Sequence, residues 1–192
     1  MTAVGFRVKS GYAIAVVLDG SRQTPRPVAS RIVELSDPGV AETRQPYHDG
    51  FYKTEEDARE IARRVRIVKR CAKKSVAALV SEMEREALAE RTWRAALVVG
   101  SLIDPNTVGN PHIRAHAHEG QLFRSVLEEA LAEHAVDCDV IVDKQLASQV
   151  AKELGRPASV ARAVASFGKT LGGRWRAEEK AAATAAWLAL RE

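Results

Sequence analysis

The chain is poor in cysteine, in aromatic residues and in long apolar runs, and each shortage removes a class of protein. Its two cysteines, Cys71 and Cys138, are too few for a disulfide framework and lack the paired spacing of a metal-binding motif. The longest early apolar run, Tyr12 to Leu18, is too short to cross a bilayer, and no charged leader with a cleavage site precedes it. No membrane partner is expected, and a reducing, cytoplasmic setting is. Aromatic residues make up 5% of the chain and none is interleaved with its densest basic run, which argues against a stacking platform for single strands. Neither charge sign dominates: the net charge of +4 allows an acidic partner without demanding one.

What is present suits a globular α/β protein. The 192 residues fit a single domain, 1–192, better than two, and 46% hydrophobic against 28% charged residues is enough to bury a core. Residues 4–9 and 12–18 read as strands rich in Val, Ile and aromatics around a turn at Gly11. The loop "DGSRQTPRP" separates them from "VASRIVELS", whose alternation marks a third, half-buried strand. Short connections make these three an antiparallel meander. "TEED" then opens a helix, with Thr54 as the cap and Asp57 in the first turn. Apolar residues at Ile61, Val65, Val68, Ala72, Val76, Leu79 and Met83 carry this long amphipathic helix from 55 to about 88. At about 50 Å it is long for a body whose radius of gyration is about 16 Å. Overhang, a break, or a homodimer packed along this helix would each accommodate it.

"WRAALVVGSL" and "CDVIVD" read as buried strands on either side of a helix that starts at Asn110–Pro111 and runs to about His134. "LASQVAKELG" and "AEEKAAATAAWLALR" read as helices, and 156–176 is placed only loosely. Strand–helix–strand units require right-handed parallel crossovers, so a mixed five-stranded sheet follows, its first three strands antiparallel and helices on both faces.

This element order resembles the ribonuclease H-like superfamily, especially its Holliday-junction-resolvase-type branch. Such proteins open with a pattern like Gly-Ile-Asp-Pro-Gly-Ser; here Gly5, Phe6, Arg7, Val8, Lys9 and Ser10 stand in those places. They carry a second acid at the end of the fourth strand, where this chain has Gly100, Ser101 and then Asp104, and a last acid near the final helix start, where Glu178 and Glu179 stand. The resemblance implies nucleic-acid chemistry with two metal ions bridged by the strand-one carboxylate. Arg7 departs from it, because a guanidinium has only donors and does not deprotonate. The metal-nuclease site would then be degenerate, with Arg7, Lys9 and Ser10 available to hold an anion.

"NPHIRAHAHEGQLF" is the strongest candidate for a site. His112, His116 and Glu119 fall within about 60° of one another on a helical wheel, on the stripe that continues through Phe123, Val126 and Leu127. Arg114 and His118 fall on the outer face. Because the helix follows a strand, its start lies at that strand's carboxyl edge, the usual ligand side of an α/β sheet. Three readings stand side by side: a mononuclear metal site, an anion or acid–base site using His112 and His116, and polar groups that only cap loop carbonyls. His-x3-His-x2-Glu is not the zinc-protease spacing, so no protease reading follows; no residue is assigned as a metal ligand, and a divalent metal ion stays open as a cofactor.

Asp104, His112, His116 and Glu178 are thus the candidate catalytic groups. The alternative function is an enzyme acting on a small anionic or nucleotide-like substrate through His112 and His116. The run "RRVRIVKRCAKK" offers Arg63, Arg66, Arg70, Lys73 and Lys74 to a phosphate backbone, although flanking acids also suit an ordinary solvated face. "RQPYHDGFYK" holds Tyr47, His48 and Phe51 in a long loop, as a lid or as aromatics pinning the loop down. "ASFGKTLGG" lacks the frame of a phosphate loop.

Overall fold

The computed structural model describes residues 1–50, 52–86 and 93–190; Phe51 and the expected helix residues 87 and 88 lie outside them. Strands β1 (Thr2–Lys9), β2 (Tyr12–Gly20), β3 (Pro25–Glu34), β4 (Arg94–Val99) and β5 (Cys138–Val142) form one mixed sheet in the order β3-β2-β1-β4-β5. The pairs β1–β2 and β2–β3 are antiparallel, and β1–β4 and β4–β5 are parallel. The turn from β1 to β2 needs a left-handed residue and has one, Gly11 at φ +83°. Prolines 25 and 27 sit on β3, an edge strand, where a missing N–H leaves no broken ladder on the open side.

Alternation along β1 divides the molecule. Val4, Phe6 and Val8 face helices α1 (Ala58–Arg85) and α2 (Pro111–Ala132), packing with Val68, Val76, Met83, Phe123 and Leu127. Ala3 lies on the opposite face, under α3 (Leu146–Glu153), α4 (Pro157–Leu171) and α5 (Ala177–Ala189). There α5 lies so close to β1 that a Cβ on Gly5 would stand 1.9 Å from the Ala182 carbonyl oxygen. The alanines of α5 permit that approach. Among the described residues, no helix is long and apolar enough to cross a membrane.

Helix α1 differs from the expectation at both ends. Thr54 does not cap it, because Thr54 pairs with His48 as a short antiparallel bridge. Asp57 caps instead, accepting from the Arg59 N–H at 2.8 Å. The 28-residue helix is unbroken, and its buried positions run from Arg64 to Met83. It is tied sideways to α2 by Lys69–Glu129 and Lys73–Glu133 and to β3 by Arg31–Glu82. Residues 156–176 are mostly α4, with Trp175 folded back over Gly168 and donating to the Val164 carbonyl at 2.9 Å.

Candidate functional site

Two clefts lie side by side at the carboxyl edge of β1 and β4, and His116 lines both. The smaller, about 260 Å³, is lined by Arg7, Lys9 and Ser10 from the end of β1, Gly100 and Ser101 after β4, and Gly120 and Phe123 of α2. Four sequence candidates, Arg7, Lys9, Ser10 and His116, therefore meet at one place. Arg7 donates to Asp143 Oδ2 at 2.8 Å and to the Val98 carbonyl at 3.4 Å. Lys9 faces Glu178 at 3.7 Å, and Glu178 also faces Arg174 at 3.6 Å.

Two expectations are corrected here. The sequence offers Asp104 or Glu178 as the internal acid for the two cations of β1, Arg7 and Lys9; Lys9 does face Glu178, but Arg7 takes Asp143 instead, which directly follows β5, two strands from β1, with β4 between. By helical spacing Glu178 shares a face with Ala181, Ala182, Ala185 and Ala189, yet it does not begin the buried stripe of α5. Its neighbour Glu179 is the buried acid, accepting from the Arg176 N–H at 2.7 Å as a helix cap. Asp104 is exposed and caps its own turn, Pro105–Thr107, accepting from the Asn106 N–H at 2.9 Å.

The larger cleft, about 580 Å³, is lined by His48, His112, His116, Tyr52, Arg44 and Glu42, among others. At its base lies Glu119, with 1% of its side chain exposed. Glu119 Oε1 is 2.7 Å from His48 Nδ1 and accepts from the Tyr47 N–H at 3.4 Å. Among the described residues Oε2 has no hydrogen-bond partner, and it lies 3.4 Å from His116 Nδ1. Burial pushes the Glu119 carboxyl up to about 7, against the opposing pull of His116 and the Tyr47 N–H. Burial also holds the His48 imidazole below its ordinary value. Burial disfavours the charged form of both groups, and 2.7 Å apart they can pass a proton between them, which is the capacity acid–base chemistry needs.

His48 was legible only as one residue of an aromatic loop. What fixes it is Arg64, a buried side chain of α1 that donates to the His48 carbonyl at 2.9 Å, to the Pro46 carbonyl at 3.3 Å and to Glu55 at 2.6 Å. The signal for Arg64 was present: three residues after Ile61 and four before Val68, it falls on the apolar stripe. His118, expected on the outer face, is covered by Tyr47, whose ring stacks on it at 4.8 Å. Of the basic face of α1, Arg63 is paired with Glu60 and Lys73 with Glu133; Arg66, Arg70 and Lys74 are exposed.

The strand order, the antiparallel opening and the two parallel crossovers define a ribonuclease H-like fold of the RuvC type. Solved structures share it, two RuvC structures among them. The Thermus thermophilus RuvC structure is 13% identical, with 98% of this chain and 92% of that one covered at a TM-score of 0.51. The T. thermophilus RuvC in complex with Holliday junction substrate is 14% identical, with 98% and 91% covered at 0.52. No protein-family model matches the chain, and no curated protein matches its sequence.

The two-metal chemistry that the resemblance implies does not fit these residues. Two magnesium ions need converging carboxylates. The strand-one position holds a guanidinium, the end of β4 holds Gly100 and Ser101, and Glu178 is shared between Lys9 and Arg174.

Proposed function

We propose that this chain is a nucleic-acid-binding protein that holds phosphate groups in the Arg7–Lys9–Ser10 cleft, on a scaffold whose nuclease metal site has degenerated. The observation that carries this reading is Arg7 itself, a largely buried guanidinium at the sheet edge where a metal-binding carboxylate would stand. Its carboxylate partner, Asp143, is 47% exposed and can turn to solvent when a phosphate oxygen takes its place. The planar fork of Arg7 suits bidentate phosphate contact, Lys9 adds a point charge, and Ser10 and Ser101 supply hydroxyls. The exposed Arg66, Arg70 and Lys74 extend the reading to the backbone beyond the cleft. A structural neighbour was solved with a Holliday junction substrate, which makes branched DNA the first ligand to try.

Fluorescence anisotropy with a labelled four-way junction and a matching duplex, at rising salt, tests this. Affinity should fall steeply with salt, and Arg7→Met should weaken binding by about tenfold or more, the loss of a charge-assisted hydrogen bond. Equal affinity for the native and Arg7→Met proteins would remove the cleft from the interface.

A further inference from the structure

The histidine pocket is outside the phosphate-binding reading, and the inference drawn from it does not rest on that reading. Three side chains from two separate elements converge there. His112 and His116 are one helical turn apart on α2, so their rings rise on the same side of the helix, and the rings lie 4.6 Å apart. His48 comes from the loop that Arg64 pins down, and its ring is 5.1 Å from His112 and 4.5 Å from His116. One ring nitrogen from each of the three lies within 4.8 Å of the other two.

From this convergence we propose that His48, His112 and His116 form a mononuclear zinc site, with Glu119 as the buried carboxylate that orients the imidazoles. Two nitrogens held at about 2.05 Å by one tetrahedral ion stand about 3.3 Å apart. His48 Nε2 and His112 Nδ1 are 3.3 Å apart. The third ligand needs to close by about 1.5 Å or less, within reach of a χ rotation of the half-exposed His116 ring. When the Glu119 carboxylate accepts the His48 Nδ1 proton, the His48 Nε2 lone pair is left pointing at His112 Nδ1. Two facing lone pairs repel unless a proton or a cation lies between them. Glu119 Oε2, buried and without a hydrogen-bond partner, is placed to accept from His116 Nδ1 in the same way once that ring turns. A carboxylate behind a ligand histidine is the arrangement that fixes its tautomer and raises its basicity.

The donor set also selects the ion. Neutral imidazoles suit zinc and neighbouring late transition metals, whereas magnesium and manganese prefer carboxylate oxygens. Three protein ligands leave a position open toward the 580 Å³ cleft, the pattern of sites that present a bound water or an anionic ligand.

Untagged protein stripped with a chelator is titrated with Zn²⁺ against a chromophoric chelator, and with Co²⁺ followed by its visible d–d absorption. The expected results are one Zn²⁺ per chain and the intense absorption of four-coordinate Co²⁺. His116→Ala, at an exposed position that folding does not need, should lower Zn²⁺ affinity by about 100-fold or more. Glu119→Gln should lower it by about 10- to 100-fold with the ligands intact. His134→Ala, just past the far end of α2, should leave it unchanged, and circular dichroism should show all three variants folded. Zn²⁺ bound no more tightly by the native chain than by His116→Ala would overturn the proposal and leave a hydrogen-bonded chain from His112 through His48 to Glu119. Mg²⁺ displacing Zn²⁺ at equal concentration would overturn it as well.

Discussion

The two clefts share His116 and a sheet edge, yet their polar groups are in opposite states of satisfaction. In the cationic cleft each charge has an internal partner: Arg7 has Asp143 at 2.8 Å and Lys9 has Glu178 at 3.7 Å, and both carboxylates are partly open to solvent. In the histidine pocket a carboxylate with 1% of its side chain exposed keeps one oxygen without a hydrogen-bond partner. Three imidazoles crowd together above it. In the first cleft Asp143 and Glu178 are open to solvent, so an external anion can compete with them, as the proposed phosphate site requires. Buried, partly satisfied polar groups are costly unless something completes them, which is the ground for proposing a cation at the second.

Stability separates the two most sharply. Arg64 is the buried tether of the His48 loop, and removing it leaves Glu55 and two carbonyls without their donor. Arg64→Met should cost about 3 kcal/mol in urea unfolding, the scale of breaking a buried ion pair. Arg7→Met, whose partner Asp143 is about half exposed, should cost about 1 kcal/mol or less. Equal losses would show that the two clefts do not differ in the way described.

A smaller effect sharpens the account of the cationic cleft. If Asp143 is an internal competitor for Arg7, Asp143→Asn frees the guanidinium, and affinity for phosphate-bearing ligands should rise by about fivefold, the worth of a partly exposed pair. Inorganic phosphate or a short duplex, titrated calorimetrically against both proteins, would show it. A loss of affinity would instead make Asp143 a residue that positions Arg7 for its ligand.

Much of this architecture was legible because it repeats. Alternation in β1 and β2, the continuous apolar run of β4 and the 3.6-residue stripe of α2 are periodic signals, and they place His112, His116 and Glu119 together. The partners that decide the chemistry carry no period. His48 lies in an irregular loop, held where it is by Arg64. Asp143 reaches Arg7 across 136 positions of sequence and one intervening strand. Two local readings differ for local reasons: α1 starts three residues later than 55 because Thr54 bridges to His48, and Glu179 rather than Glu178 turns inward because it caps the Arg176 N–H. One sequence signal went unused. Arg64 on an apolar stripe marks a buried cation, and a buried cation needs acceptors, which here are the backbone of the loop that carries His48.

The central claim is that cations have replaced the carboxylates of a nuclease-type site, and the magnesium dependence of DNA binding tests it most directly. Junction affinity and junction integrity are measured in EDTA and again in millimolar Mg²⁺ at constant ionic strength. The account predicts the same affinity in both and intact DNA throughout, because Arg7 and Lys9 supply the positive charge that magnesium would otherwise bring. Binding that requires Mg²⁺, or cleavage that starts when it is added, would contradict it.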